Sequence, residues 1–281
     1  MPELPEVETI KEAMRKSLQG ARIESVEIYN RSLRQPIVEN FEKIVCSAKI
    51  VRLYRIAKYA LMELDNGYSL IWHFGMSGRI KITDKTPLSL EKHDHVVLIT
   101  SKGNLIYNDT RRFGLIALCK TSELKENPLL KPLGLDPFDK DLTPSYLAQA
   151  FKNKNVLIKI ALLDQHIISG IGNIYASEAL YEARISPLCP SSLLSMKELE
   201  KLIEAIRIIL KKAIDAGGST LHDYKQPDGH TGYFQFQHSV YGKDGQHCPH
   251  CTCHKDGILK LTLGGRSTYY CPHLQKLRRT K

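Results

Sequence analysis

The chain predicts a two-part α+β protein, β-rich up to about residue 120 and helical after about residue 140, and three features lead there. Apolar residues recur in short β-type runs between residues 21 and 118, then switch to helical spacing from residue 144 onward. Between the two regions, Asn127-Pro128 and the Pro and Gly of residues 131–137 break any regular element. At 281 residues the chain is long enough for two separate hydrophobic cores.

The leading element is a helix over 5–17. Leu4, Val7, Ile10 and Met14 fall on one face, Pro5 suits a first turn, and Glu3, Glu6 and Glu8 suit the positive end of the dipole. Strands follow at 49–56, 59–64, 68–74, 95–100 and 105–107. The turns Asp65-Asn66-Gly67 and Ser101-Lys102-Gly103-Asn104 lie between β-rich runs, so this region reads as an antiparallel sandwich or barrel. Helices are expected at 144–152, 155–163, 173–184 and 196–216, the last closed by Gly217-Gly218. Residues 219–241, rich in Gly, His, Gln and aromatics without helical periodicity, read as a loop over a site.

The 40 Lys and Arg outweigh 30 Asp and Glu by a net +10, which favours a polyanionic partner. No signal-peptide pattern opens the chain and no apolar run approaches a membrane span, so a cytosolic protein is expected. Cys46, Cys119 and Cys189 are scattered, whereas Cys248, Cys251, Cys253 and Cys271 crowd the C-terminal end. In a reducing compartment such clustering points to a metal site.

Pro2 is the sharpest chemical feature. Removal of Met1 converts its ring nitrogen into a free secondary amine, a nucleophile that forms an iminium ion with a sugar carbon at the aldehyde oxidation level. An α-amine titrates near neutrality, and Glu3 beside it could carry protons. Read alone, the pair is an ordinary helix start.

Met1-Pro2-Glu3-Leu4-Pro5-Glu6-Val7-Glu8-Thr9 resembles the opening of bacterial formamidopyrimidine-DNA glycosylases. The likeness continues through Arg55-Ile56-Ala57-Lys58-Tyr59, His73-Phe74-Gly75-Met76-Ser77-Gly78, Lys92-His93-Asp94-His95-Val96 and Asp109-Thr110-Arg111-Arg112-Phe113-Gly114. It extends to Gly170-Ile171-Gly172-Asn173-Ile174-Tyr175 and to Gly265-Arg266-Ser267-Thr268-Tyr269-Tyr270-Cys271-Pro272. It therefore spans essentially the whole chain.

The resemblance implies an α+β fold: an N-terminal helix plus antiparallel β-sandwich, then a helical helix-two-turn-helix domain with a C-terminal zinc-finger-like β-hairpin. The expected divisions are 1–130 for the catalytic sandwich, 131–221 for the helical DNA-binding domain, 222–242 for a lesion-recognition loop and connector, and 243–281 for the hairpin. It also implies a monomeric base-excision-repair enzyme, both glycosylase and abasic-site lyase, acting on damaged double-stranded DNA held in a basic cleft.

Catalysis is expected from Pro2 as nucleophile, Glu3 as proton carrier, Lys58 at the sugar-phosphate and Arg266 at the flanking phosphates, where a guanidinium grips two oxygens at once. A base inside a duplex must be extruded and its space filled. Met76, Arg111 and Phe113 match the residues for that task, whereas the ordinary reading of Met76 and Phe113 is core packing. His93, Lys154, Lys159 and Asn173 match further DNA contacts, Asn173 opening a helix whose N–H groups can face a phosphate.

Cys248, Cys251 and Cys271 supply three thiolates for one zinc ion per chain, but Leu274 stands where the family has its fourth cysteine. His273 or Cys253 could substitute, or the hairpin could stand without metal. The metal's role would be structural, pinning Arg266 on a hairpin too small to hold itself. His222 is a second departure, since the family's lesion loop has lysine there. Leu4-Pro5 with paired Arg111 and Phe113 favours oxidised purines as substrate. The rivals are an endonuclease VIII-like enzyme for oxidised pyrimidines and a non-catalytic damage-binding protein.

Overall fold

The computed structural model describes residues 2–84, 90–152, 154–219, 232–251 and 257–277. They form two compact units, one of residues 1–131 with 214–235, the other of 132–213 with 236–281. Among the described residues no helix is long and apolar enough to cross a membrane.

The first unit opens with α1 (Leu4–Leu18), followed by β1 (Ile23–Ile28), the short α2 (Phe41–Val45), β2 (Ile50–Ile56), β3 (Tyr59–Leu64), β4 (Tyr68–His73), β5 (Gly78–Thr83), β6 (Asp94–Thr100), β7 (Gly103–Asp109) and β8 (Leu115–Lys120). The strands make two four-stranded antiparallel sheets, ordered β1-β6-β7-β5 and β2-β3-β4-β8. The sequence pattern predicts strands at 49–56, 59–64, 68–74, 95–100 and 105–107 but not β1, β5 or β8. Only alternate positions of β5 are fully buried, and the signal in Ile80 and Ile82 is shared with Arg79 and Lys81.

Val7, Ile10, Met14 and Leu18 of α1 enter one core with Met62, Leu70, Trp72, Phe74, Val96, Leu98, Leu105 and Tyr107. Every residue of β7 is buried, the polar Asn104, Asn108 and Asp109 included, and only its apolar centre at 105–107 reads as strand from the sequence. Full burial of an aliphatic side chain is worth about 1.5–3 kcal/mol, so α1's four core residues fasten the N-terminus firmly to the sheets.

The second unit contains α3 (Pro144–Phe151), α4 (Ile158–Ala161), α5 (Asn173–Glu182), most of α6 (Met196–Asp215), and the hairpin of β9 (Leu259–Leu263) and β10 (Arg266–Tyr270). Three helices lie within two residues of their expected limits; α4 is much shorter than 155–163. Its forerunners are drawn into pairing with another segment: Ile158 N–H donates to Cys189 O at 2.8 Å and Ser191 N–H to Val156 O at 2.8 Å. Extended backbone at Leu157 therefore replaces helix.

Each unit holds a histidine whose surroundings disfavour the charged form, His73 partly buried and His238 buried. Burial, with the Arg34 and Lys58 charges adding to it, lowers His73 to about 4, and burial lowers His238 to about 4. Unfolded, both titrate near 6.5. Between these values the unfolded chain binds the extra protons, so stability is complete above about pH 6.5 and falls as pH drops toward 4, by up to roughly 3 kcal/mol per histidine. Urea unfolding at pH 7 and pH 5 is expected to show this loss, and equal midpoints would contradict it.

Candidate functional site

At the start of α1, Pro2 is buried and Glu3 is the N-cap in extended conformation. Glu6, read from sequence only as a dipole-matched acid, binds two segments at once. One carboxylate oxygen accepts the Glu3 N–H at 2.9 Å; the other accepts the Ser219 N–H at 2.8 Å. Gly218, at φ +81°, packs so close that a Cβ there would lie 2.9 Å from Glu6 Oε1. The backbone at 232–234 runs beside this clasp, with Phe234 N–H donating to Gly218 O at 3.1 Å. Ser219 and the backbone at 232–234 thus lie by α1, while His222 of the expected lesion-recognition loop lies outside the described residues.

Lys58 lies in the two-residue turn joining β2 to β3, where Ala57 takes φ +52°. A side chain there is strained, and Arg55 Nη1 braces the turn by donating to Ala57 O at 3.0 Å. Arg55 is itself held by Glu8 of α1 at 2.8 Å. Lys58 is buried rather than an exposed strand-end lysine.

Met76, Arg111 and Phe113 share one platform. Met76 is 40% and Phe113 47% exposed, too open for core residues, and the Arg111 guanidinium stacks 4.7 Å from the Phe113 ring centre. A fully buried carboxylate, Asp109, organises their loops. It accepts Ser77 Oγ–H at 2.6 Å, Tyr107 O–H at 3.0 Å, Gly114 N–H at 2.8 Å and Arg111 N–H at 3.3 Å. Gly75 and Gly114 permit the close approach: a Cβ on Gly114 would stand 1.9 Å from Tyr107 Oη, and one on Gly75 2.4 Å from Phe113 C. His93 joins through its carbonyl, which accepts the Asp109 N–H at 3.1 Å. Asp109 lies within a motif of the family resemblance, but no local pattern gives it a role, since its partners are assembled only by the β5–β7 pairing.

In the second unit Asn173 is the first residue of α5. Its Nδ2 donates to Ser267 O at 2.8 Å and to Tyr241 Oη at 3.3 Å, and its Oδ1 accepts from Lys159 Nζ at 2.6 Å. Lys159, expected from sequence on a phosphate-binding surface, is wholly buried and props Asn173 from behind. Lys154 lies 3.4 Å from Asp164, an ion pair that a phosphate would have to loosen. Arg266 is exposed at the first position after the Gly264-Gly265 turn, whose φ values of +54° and +71° make the tight hairpin reversal that glycine permits. The Asn173 bond to Ser267 therefore anchors the strand one residue from Arg266.

Glu178 of α5 was also missed. Buried, it accepts three successive backbone N–H groups, those of Ser239 (2.8 Å), Val240 (3.0 Å) and Tyr241 (2.7 Å). No sequence pattern forecasts this, because the donors are main-chain groups about 60 residues away.

The Sγ atoms of Cys248, Cys251 and Cys271 lie within 4.8 Å of one another, Cys251 and Cys271 at 3.8 Å. A tetrahedral thiolate site with metal–sulfur bonds of about 2.3 Å has edges of about 3.8 Å, so these residues fit three corners of a metal site. Cys253 lies outside the described residues. Leu274 packs into the small core of Tyr181, Val240, Cys248, Ile258, Tyr269 and Cys271.

This combination, a sandwich with a capped N-terminal helix and a helical unit bearing a cysteine-supported hairpin, defines a protein of the helix-two-turn-helix class. Residues 1–116 match the model of the formamidopyrimidine-DNA glycosylase N-terminal domain and residues 133–225 that of the formamidopyrimidine-DNA glycosylase H2TH domain. The chain belongs to the formamidopyrimidine-DNA glycosylase family. It is 42% identical to the formamidopyrimidine-DNA glycosylase of Dinoroseobacter shibae, over 98% of this chain and 100% of the other. It also superposes with TM-score 0.90 on the Lactococcus lactis Fpg complexed with abasic-site DNA, and with TM-score 0.90 on a variant of that protein complexed with Fapy-dG DNA. Both are 32% identical, covering 98% of this chain and 100% of theirs.

Proposed function

We propose that this protein is a base-excision-repair glycosylase and abasic-site lyase that removes oxidised purines, 8-oxoguanine and formamidopyrimidines, from duplex DNA. The observation that carries the reading is the clamped Pro2-Glu3 start of α1, in a chain of this family over nearly its full length. Once Met1 is removed, the Pro2 nitrogen attacks the deoxyribose C1′, the bond to the damaged base breaks with its electron pair leaving on the base, and a proton joins the base. The Pro2 nitrogen, having lost its proton, then expels O4′ from C1′ with its lone pair. This opens the sugar ring and leaves an iminium, and Glu3 supplies the proton that O4′ takes up. The resulting iminium acidifies the C2′ proton; its loss expels the 3′ phosphate, and a second elimination expels the 5′ phosphate. One nucleophile therefore serves base removal and strand cleavage.

Lys58 and Arg266 serve as phosphate and sugar contacts in these steps. Met76 enters the vacated stack, Phe113 wedges beside the partner base and Arg111 bonds its exposed edge. The exposure of Met76 and Phe113 and their shared Asp109 support supports that division of labour. Asn173 and His93 contact phosphate, and the three cysteines hold zinc that keeps the hairpin in shape.

Borohydride trapping with peptide mapping tests the reading. A covalent adduct at Pro2 on 8-oxoguanine duplexes, with little on thymine glycol, is the expected result. Preference for thymine glycol would move the enzyme to the pyrimidine branch, and an intact Pro2 amine that never cross-links would leave only a damage-binding protein.

A further inference from the structure

We infer that Ser77 is a positioning residue for base extrusion. Its hydroxyl, directed by Asp109, latches the turn that carries Met76 to the loop that carries Arg111 and Phe113, so that the three side chains enter the duplex as one unit. The inference rests on reading those three as the extruding set, and it adds to them a residue that acts through its neighbours.

Two separate stretches of chain present the extruding residues. Gly78 N–H donates to Phe74 O at 2.8 Å, which closes residues 75–77 into a tight turn with Met76 at its centre, and Gly75 N–H is held by His73 Nδ1 at 3.1 Å. In the other stretch Arg112 N–H donates to Asp109 O at 3.3 Å, and Arg112 takes φ +56°, a left-handed conformation that a side chain adopts only under constraint. Met76 and Phe113 are exposed, whereas Ser77 is buried.

The Ser77 hydroxyl joins the two stretches by acting in both directions at once. It donates to Asp109 Oδ1 at 2.6 Å and accepts the Arg111 N–H at 3.0 Å. Asp109 fixes that direction: its other oxygen accepts the Tyr107 O–H at 3.0 Å and the Gly114 N–H at 2.8 Å, so the carboxylate faces Ser77 purely as an acceptor. The hydroxyl proton is therefore turned toward Asp109 and its lone pairs toward Arg111. Without that oxygen, Arg111 N–H keeps only the longer 3.3 Å bond to Asp109 Oδ1, and the Met76 turn is untied from the Arg111 loop. Because the Arg111 guanidinium stacks 4.7 Å from the Phe113 ring centre, the latch sets the spacing of all three residues. A misplacement of about 1 Å in a positioning contact can cost roughly a hundredfold in rate.

Ser77→Ala in the full chain, with Met1 removed, tests this on two DNA substrates. On a duplex with 8-oxoguanine opposite cytosine, excision should fall roughly ten- to a hundredfold. Single-stranded DNA carrying a preformed abasic site offers no base to extrude and no partner base to meet, so strand cleavage and borohydride trapping on it should stay within about twofold of the parent. With Met76→Ala and Arg111→Ala already in place, adding Ser77→Ala should change duplex excision by less than about twofold, since the latch has nothing left to position. An equal fall on both substrates would make Ser77 a general structural residue, and unchanged duplex excision would make the latch dispensable. Either result overturns the inference and leaves the repair reading standing. A parent protein inert on both substrates would overturn the repair reading and the inference with it.

Discussion

Pro2→Gly, freed of Met1, is expected to lose on the order of a hundredfold or more in borohydride-trapped adduct and in strand cleavage, while binding an uncleavable abasic-site analogue within about threefold of the parent. Glycine leaves a primary amine at position 2, so some nucleophile survives. What is lost is the ring, which gives a secondary amine and restricts the backbone leading into α1. A stricter comparison retains Met1 ahead of Pro2. The proline nitrogen is then a tertiary amide whose lone pair is delocalised into the carbonyl, and trapping should vanish. Binding should persist, since the Glu6 bonds to Glu3 and Ser219 do not require a free terminus. Undiminished trapping with Met1 retained would remove Pro2 from the mechanism and shift attention to a lysine amine, whereas undiminished trapping in Pro2→Gly would show that the ring is dispensable.

Glu178→Ala should cost at least about 3 kcal/mol of stability, because three backbone donors lose their acceptor and each donor left unsatisfied on burial costs roughly 1–3 kcal/mol. The damage should be concentrated in the hairpin half of the second unit. The 239–241 segment held by Glu178 carries Tyr241, whose hydroxyl accepts from Asn173 and whose ring lies 4.9 Å from that of Tyr269 on β10. Loosening it frees the strand that bears Arg266. Chemical unfolding measures the first effect, and hydrogen exchange at residues 266–270 measures the second. A variant with parental stability and unchanged protection there would show that Glu178 does not brace the hairpin.

Residues whose role is set by local chemistry were readable from sequence. The α1 stripe, the Gly217-Gly218 end of the last long helix and the cysteine spacing all follow from periodicities and backbone preferences spanning a few residues. Family resemblance then supplied candidate roles that local reading would have assigned to packing or a helix start, as for Met76, Phe113 and Pro2. Lys159 shows the limit of that route. Its charge and position suggested a phosphate contact, yet the chain folds it completely inside, against Asn173.

The sequence by itself determined the family, the order of β-rich and helical parts, and the set of groups able to do chemistry, because each depends on residue identity and short-range pattern. Tertiary structure decided which polar groups hold those residues in place. Glu6 reaches Ser219, Asp109 gathers two loops across β5 and β7, and Glu178 caps a segment about 60 residues further on. In each case a buried carboxylate must find N–H or O–H donors once water is removed. The identity of those donors depends on chain reversals and strand register, which no local window contains.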